Sequence, residues 1–354
     1  MTPQEMKNLL DPTLNELGLS HFGWAALERP LSYEFYTQWL QEGLHGDMAY
    51  LETHAPTKEK PQRQWPRMQS ALVFAIPYYP HPEKNPVFPL QQARISLYAQ
   101  GQDYHFWFRE RMQILCQKLA ALFPGEEFLS FTDSSPVLER DLARRAGLGW
   151  VGKNTCLIHP KKGSLFFIGE IYTSLTWSSD FAPLPDFCGT CQRCLDICPT
   201  QALIEPRKLD ARKCISYWTI ESRQVPPEEL RSAMGDWFFG CDLCQTVCPW
   251  NQKVFKGQLS IERSQSLSTS EEELLLQDLR YILTSSGKQL ERDLRGTPLA
   301  RAGSFGLKRN ALIVAANRDL SSLEAEVSAL LTHPKLGELA QWTLQQWDSK
   351  VPVS

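Results

Sequence analysis

The stretch CGTCQRCLDICPT, residues 188–200, puts four thiols close together and follows the last with proline. Cys188, Cys191 and Cys194 are separated by two residues each, and three more lead to Cys198 and Pro199. This C-x2-C-x2-C-x3-C-P spacing is that of bacterial two-cluster iron–sulfur proteins: a tight loop aims three thiolates at one cubane, and the fourth Cys crosses to the other cluster. Cys241, Cys244 and Cys248 with Pro249 repeat the ending of the run, and Cys214 supplies the missing first ligand from upstream of an insertion. The expected chemistry is two [4Fe-4S] clusters, one on Cys188, Cys191, Cys194 and Cys248, the other on Cys198, Cys214, Cys241 and Cys244. Structural zinc usually takes two C-x2-C pairs with a longer spacer and no third close thiol. Two adjacent clusters form a short electron wire. It needs a low-potential donor of flavodoxin or ferredoxin type and an acceptor; no G-x-G-x-x-G opens a helix after a strand, so a Rossmann-bound dinucleotide is not indicated.

The composition agrees with an intracellular redox protein. Eight of the ten cysteines lie between residues 188 and 248 of the 354, and the opening residues MTPQEMKNLL do not read as an export signal, so metal rather than a disulfide framework is expected. No stretch approaches the run of about 18 apolar residues that spans a bilayer, so a cytoplasmic, membrane-free and monomeric protein is expected. The net charge of −3 gives no global attraction to nucleic acid. A local patch does: residues 286–318 carry seven basic side chains (Lys288, Arg292, Arg295, Arg301, Lys308, Arg309, Arg318) against Glu291 and Asp293. Phosphate contact and a solvated helical face both account for such a stretch.

The elements that must position these groups are legible in outline. YEFYTQWLQEGL and DYHFWFRERMQILCQKLAALF read as helices, the second with Cys116 on its core face beside Ile114, Leu115 and Leu119. SALVFAIPYY and GSLFFIGEIYTSL read as strands, and WSSDFAPLPDF (177–187) as a linker into the thiol region. Beyond CPWN (248–251) the chain turns polar, then shows helical periodicity to its end; LKRNALIVAANRDL (307–320) and the helix after it suit a HEAT-like pair. Cys156 has no assigned role.

Several motifs in order resemble the epoxyqueuosine reductases, cobalamin-dependent iron–sulfur enzymes of tRNA modification whose core is similar to that of reductive dehalogenases. They are HGDMAYL (45–51), SLYAQGQDYH (96–105), FTDSSPVLERDLARRAGLGWVGKNT (131–155), GSLFFIGEIYT (163–173), both Cys runs, CISYWTIE (214–221), GCDLCQTVCPWN (240–251) and KRNALIVAANR (308–318). The resemblance implies a nitroreductase-like α/β (α+β) cobalamin-binding domain over 1–180 and a ferredoxin-like two-cluster domain over 181–255 with an insertion at about 206–238. It implies an all-α, HEAT-like, tRNA-binding region over 265–354. The implied reaction is the two-electron removal of the epoxide oxygen of epoxyqueuosine at the wobble base of a tRNA, giving queuosine.

Within that resemblance Asp133 matches the proton donor, although FTDSSPVLER on its own favours a turn or N-cap aspartate. The implied cobalamin contacts are Lys58, Tyr98, Asp133, Asn154, Leu157, Ser216 and Asp242, with Lys58 standing where the family commonly has arginine. The motif D-x-H-x-x-G, which marks a histidine beneath cobalt, is half present: Asp103 and His105 are followed by Phe108 in place of glycine, so an open lower face is expected. The basic patch then becomes a tRNA surface of Arg295, Arg301, Lys308 and Arg309, with Glu221 and Arg223 lining the entrance for a base splayed from its stack. The alternatives are a corrinoid reductive dehalogenase acting on a small molecule, which needs no basic helical tail, and an RNA-binding protein with structural clusters.

Overall fold

A computed structural model describes residues 3–79, 90–133, 136–177, 183–259 and 267–349. Its first unit is built on a four-stranded sheet in the order Phe22–Ala26, Ser70–Pro77, Phe166–Thr173, Phe128–Phe131, every pairing antiparallel. The α/β expectation therefore resolves to its α+β form. From Ala71 to Ile76 the Ser70–Pro77 strand is apolar without interruption because both of its faces are buried there. Ala71, Val73 and Ala75 join one core with Leu142, Ala143 and Tyr172, while Leu72, Phe74 and Ile76 join another with Leu115, Leu119 and Ile171.

The second of these cores is covered by the helix Tyr104–Leu122, capped by Asp103, whose carboxylate accepts from the His105 amide. Phe108, Met112, Leu115 and Leu119 form its buried stripe. Cys116 packs beside this core, whereas Ile114 is exposed, one position off the stripe. Phe108 is fully buried against Gly169, where a Cβ would stand 2.0 Å from the ring. That contact gives a physical reason for the interrupted D-x-H-x-x-G motif: position 108 is occupied by a core ring that a glycine would leave as a cavity.

The thiol region follows as two short loop–helix units. The helices Arg193–Asp196 and Leu243–Thr246 pack together, and a small hairpin, Leu203–Glu205 with Lys208–Leu209, follows the first. The remainder is helical: Thr269–Thr284 starts from a Ser268/Glu271 capping box, and Gly303–Asn317 lies at the centre, packed by Gly337–Asp348. The core around it takes in residues of 90–99 and 211–239 as well, so most of the stretch expected as an insertion is packed with the C-terminal helices. None of the helices among the described residues is long and apolar enough to cross a membrane.

Candidate active site

Cys188, Cys191, Cys194 and Cys248 line one cavity of about 150 Å³, walled by Phe187 and Trp250. Trp150 braces that wall, its ring 5.0 Å from Phe187 and 4.9 Å from Trp250. Burial, reinforced by Cys248 and Cys188, pushes the Cys194 thiol up to about 11. On the inner side Cys241 faces Cys214 and Cys198, and Cys244 faces Cys156, Cys241, Cys214 and Cys198, both thiols raised chiefly by burial. Two thiol groups thus form, each containing cysteines from both runs. Cys156, unassigned from sequence, lies beside the inner group, its amide donating to the Asn154 carboxamide oxygen at 3.2 Å.

The donor set fits iron–sulfur cubanes. Backbone N–H groups point at the sulfurs, from Ala202 to Cys198 at 3.3 Å and from Trp250 and Asn251 to Cys248. The amides of Ser216 and Tyr217 and the Ser216 hydroxyl are directed at Cys214. Burial and mutual proximity still favour the protonated thiols, so bound iron must replace those protons.

Asp133 stands where three parts of the chain meet. It follows the edge strand Phe128–Phe131 with φ of 54°, in the left-handed region that side-chain-bearing residues seldom adopt. Its amide donates to Glu139 Oε1 at 2.7 Å, and the Tyr104 hydroxyl donates to its Oδ2 at 2.6 Å. His105 Nε2 lies 3.9 Å from the same oxygen, while its Nδ1 is 2.6 Å from Asp103 Oδ1. Tyr104 is itself fixed by stacking on Phe167 at 3.9 Å and on His105 at 4.2 Å. The Asp133 side chain is 61 % exposed, whereas its carboxylate neighbours Glu139 and Glu170 lie deeper. Burial and the charge of Asp133 push the Glu139 carboxyl up to about 8. Glu170, wholly buried in the sheet, is raised well above the carboxylate range by burial and by Glu139 and Asp133, and neither of its oxygens has a hydrogen-bond partner among the described residues. Sequence reasoning missed Tyr104, Glu139 and Glu170; the available signal was one acidic residue in the otherwise apolar strand FFIGEIYT.

The implied cobalamin contacts separate by position. Tyr98 faces Asp133, Asp242, Glu221 and Arg301, and burial raises its phenol. Asp242 is buried, accepts from the Leu97 amide at 2.7 Å, and is pushed up to about 6 by burial. Ser216 lies against Cys214, and Asn154 donates to the Cys244 carbonyl at 3.0 Å, so both border the inner thiols. Lys58 is buried with Nζ on the Val137 carbonyl at 3.0 Å, and burial lowers its pKa. The Leu157 side chain is core, 3 % exposed, which leaves its main chain as the part able to make a contact.

The basic patch divides in the same way. Arg309 is not on the surface: it is 0 % exposed and donates to the carbonyls of Ser222 at 2.7 Å, Gln224 at 2.8 Å and Trp218. It clamps the π-helical turn Tyr217–Glu221 onto the central C-terminal helix, and the expected phosphate contact is withdrawn because no part of it reaches solvent. Arg318 pairs with Asp236 inside the same core, and Lys308 Nζ donates to the Leu283 carbonyl at 2.8 Å. Lys288, Arg292, Arg295 and Arg301 remain exposed. Arg301 makes a two-point ion pair with Glu221 at 3.1 and 2.8 Å, Arg223 donates to the Arg301 and Ala302 carbonyls, and Tyr50 faces the pair. Glu221, Arg223 and Arg301 thus stand together on the rim nearest Asp133.

Comparison with known proteins covers the same regions. Residues 58–134 match a family described as epoxyqueuosine reductase QueG, and residues 187–251 match a 4Fe-4S double cluster binding domain. The epoxyqueuosine reductase of Pseudomonas aeruginosa is 36% identical over 328 residues, 88% of this chain and 89% of the relative. That of Alicycliphilus denitrificans is 35% identical over 349 residues, 94% and 95% of the two chains. A crystal structure of an epoxyqueuosine reductase with an epoxyqueuosine-modified tRNA-Tyr stem loop superposes with a TM-score of 0.80 at 25% identity, covering 97% of this chain and 90% of that one.

Proposed function

Because this chain belongs to the epoxyqueuosine reductase family, we propose that it reduces epoxyqueuosine at the wobble position of tRNA anticodons to queuosine. The observation that carries the reading is similarity over nearly the full length to relatives named for that activity, with the double-cluster segment in the same chain. Two electrons and two protons convert the epoxide to a carbon–carbon double bond and water. Cobalamin, when bound, supplies the reductant at the reacting carbon, fed by the two [4Fe-4S] clusters.

This chain's residues supply position and protons. Asp133 donates a proton to the epoxide oxygen as the carbon–oxygen bond breaks; the Tyr104 hydroxyl holds Oδ2 and leaves Oδ1 to carry the proton. Tyr98, Ser216, Asn154 and Asp242 offer the donors and acceptors that the amide-rich rim of a corrin requires. Lys58 would reach it only by leaving the Val137 carbonyl, and Leu157 only through its main chain. Cys188, Cys191, Cys194 and Cys248 hold the outer cluster, and Cys198, Cys214, Cys241 and Cys244 the inner one; the grouping of thiols in space supports the crossed assignment.

The half-exposed outer loops are where a flavodoxin- or ferredoxin-type donor would deliver electrons. The antiparallel sheet unit supports a nitroreductase-like reading, and the packed helices 303–317 and 337–348 support a HEAT-like one. Arg295 and Arg301 with Lys288 contact tRNA phosphates, and Glu221 and Arg223 flank the entering base. Asp133→Asn tests the chemistry: in single turnover with pre-reduced enzyme it should keep cofactors and tRNA affinity but lose about 10²–10⁴-fold in rate. Turnover of an organohalide in place of the modified tRNA would overturn the substrate assignment.

A further inference from the structure

Asp133 has to be held, because its backbone does not rest in a relaxed conformation. A left-handed φ of 54° is uncommon for a residue with a Cβ and persists where the surroundings fix it. Two groups fix it here, one on each side. The Tyr104 hydroxyl takes the carboxylate at 2.6 Å, and Glu139 Oε1 takes the main-chain amide at 2.7 Å. Glu139 opens the helix Glu139–Arg145, which packs on the sheet, so its carboxyl is tied to the rigid part of the unit.

The setting is hostile to a carboxylate. Asp133 and Glu170 face Glu139 from the loop and from the central strand, and the cations opposing them are Lys58 and Arg140. Lys58 is engaged by the Val137 carbonyl and Arg140 by the Thr155 carbonyl. An acidic side chain kept in such a place gains chiefly the bond to the Asp133 amide. We propose that Glu139 is a positioning residue for Asp133, its carboxyl oxygen holding the amide so that the Asp133 carboxyl is presented to the epoxide oxygen. This inference rests on the reading of Asp133 as proton donor. Burial, with Asp133 beside it, pushes the Glu139 carboxyl up, and its role toward Asp133 is that of an acceptor, a part that the glutamine amide oxygen reproduces.

Glu139→Met, which keeps length and removes the acceptor, should slow single turnover by about 10²-fold, the scale of a misplaced catalytic group, without changing tRNA KM. Glu139→Gln should recover at least tenfold of that loss. By hydrogen exchange, the peptide carrying Asp133 should exchange faster in the Met variant than in the Gln variant. In the Asp133→Asn background Glu139→Met should cost nothing further, since the two act as one unit. A Met variant within threefold of wild type beside an inactive Asp133→Asn overturns the positioning role alone. A Gln variant as slow as the Met variant, or losses that add in the double variant, overturns it too. An active Asp133→Asn instead removes the proton-donor reading, and the exchange measurement still decides whether Glu139 holds the segment. Should Glu139→Met fail to fold, Glu139→Ala replaces it in every arm.

Discussion

Arg309→Met separates a buried clamp from a tRNA contact. The guanidinium donates to the carbonyls of Ser222, Gln224 and Trp218 and to the Asn310 carboxamide, and no part of it reaches solvent. Methionine keeps most of the volume and leaves those three carbonyls without their donor, at about 1–3 kcal/mol for each unsatisfied buried acceptor. Part of that loss is offset. Burial, with Arg223 nearby, pushes the Arg309 pKa down to about 9, so removing the cation relieves a desolvation cost. A net loss of about 3 kcal/mol remains, which for a chain of 354 residues with about 2.1 cal/mol/K of unfolding entropy per residue corresponds to a fall in Tm of about 4 °C. Arg309→Lys should lie between, because one ammonium cannot span carbonyls arranged for a planar fork. The assay is calorimetric unfolding of the anaerobic holoprotein, run beside the salt dependence of tRNA affinity. For a buried clamp the salt slope of the folded variant stays at the wild-type value. A Tm within about 1 °C of wild type together with a slope reduced by nearly one phosphate contact would refute the reasoning.

Three further outcomes test the clusters and the tRNA surface. Anaerobic reconstitution should give about eight irons and eight labile sulfides per chain, and Cys248→Ala should lose the outer cluster while its own run still holds the inner one; loss confined to the inner cluster, read by electron paramagnetic resonance, would show the crossed grouping to be wrong. Removing the charges of Lys288, Arg295 and Arg301 together should raise the KM for tRNA and flatten its salt dependence by up to one contact per charge, with cluster content unchanged; an unaltered slope would place the tRNA elsewhere.

The parts of this protein readable from its sequence are those whose chemistry is set over short distances along the chain. A cubane demands thiols two and three residues apart, and a strand buried on both faces demands an apolar run, so CGTCQRCLDICP and SALVFAIP state their roles locally. Asp133 became legible through its motif and not through its own type, since FTDSSPVLER by itself favours a turn. The structure decided what depends on residues distant in sequence. Arg301 and Arg309 are eight positions apart on a basic stretch, yet the segment Tyr217–Gln224 folds over the second and leaves the first at the rim. Likewise Tyr104, Asp133, Glu139 and Glu170 come together only because the helix after Asp103, the edge strand and the central strand of one sheet meet at that point. Charge and ligand type belong to a residue by itself. Burial and the company a residue keeps are settled by which other parts of the chain cover it.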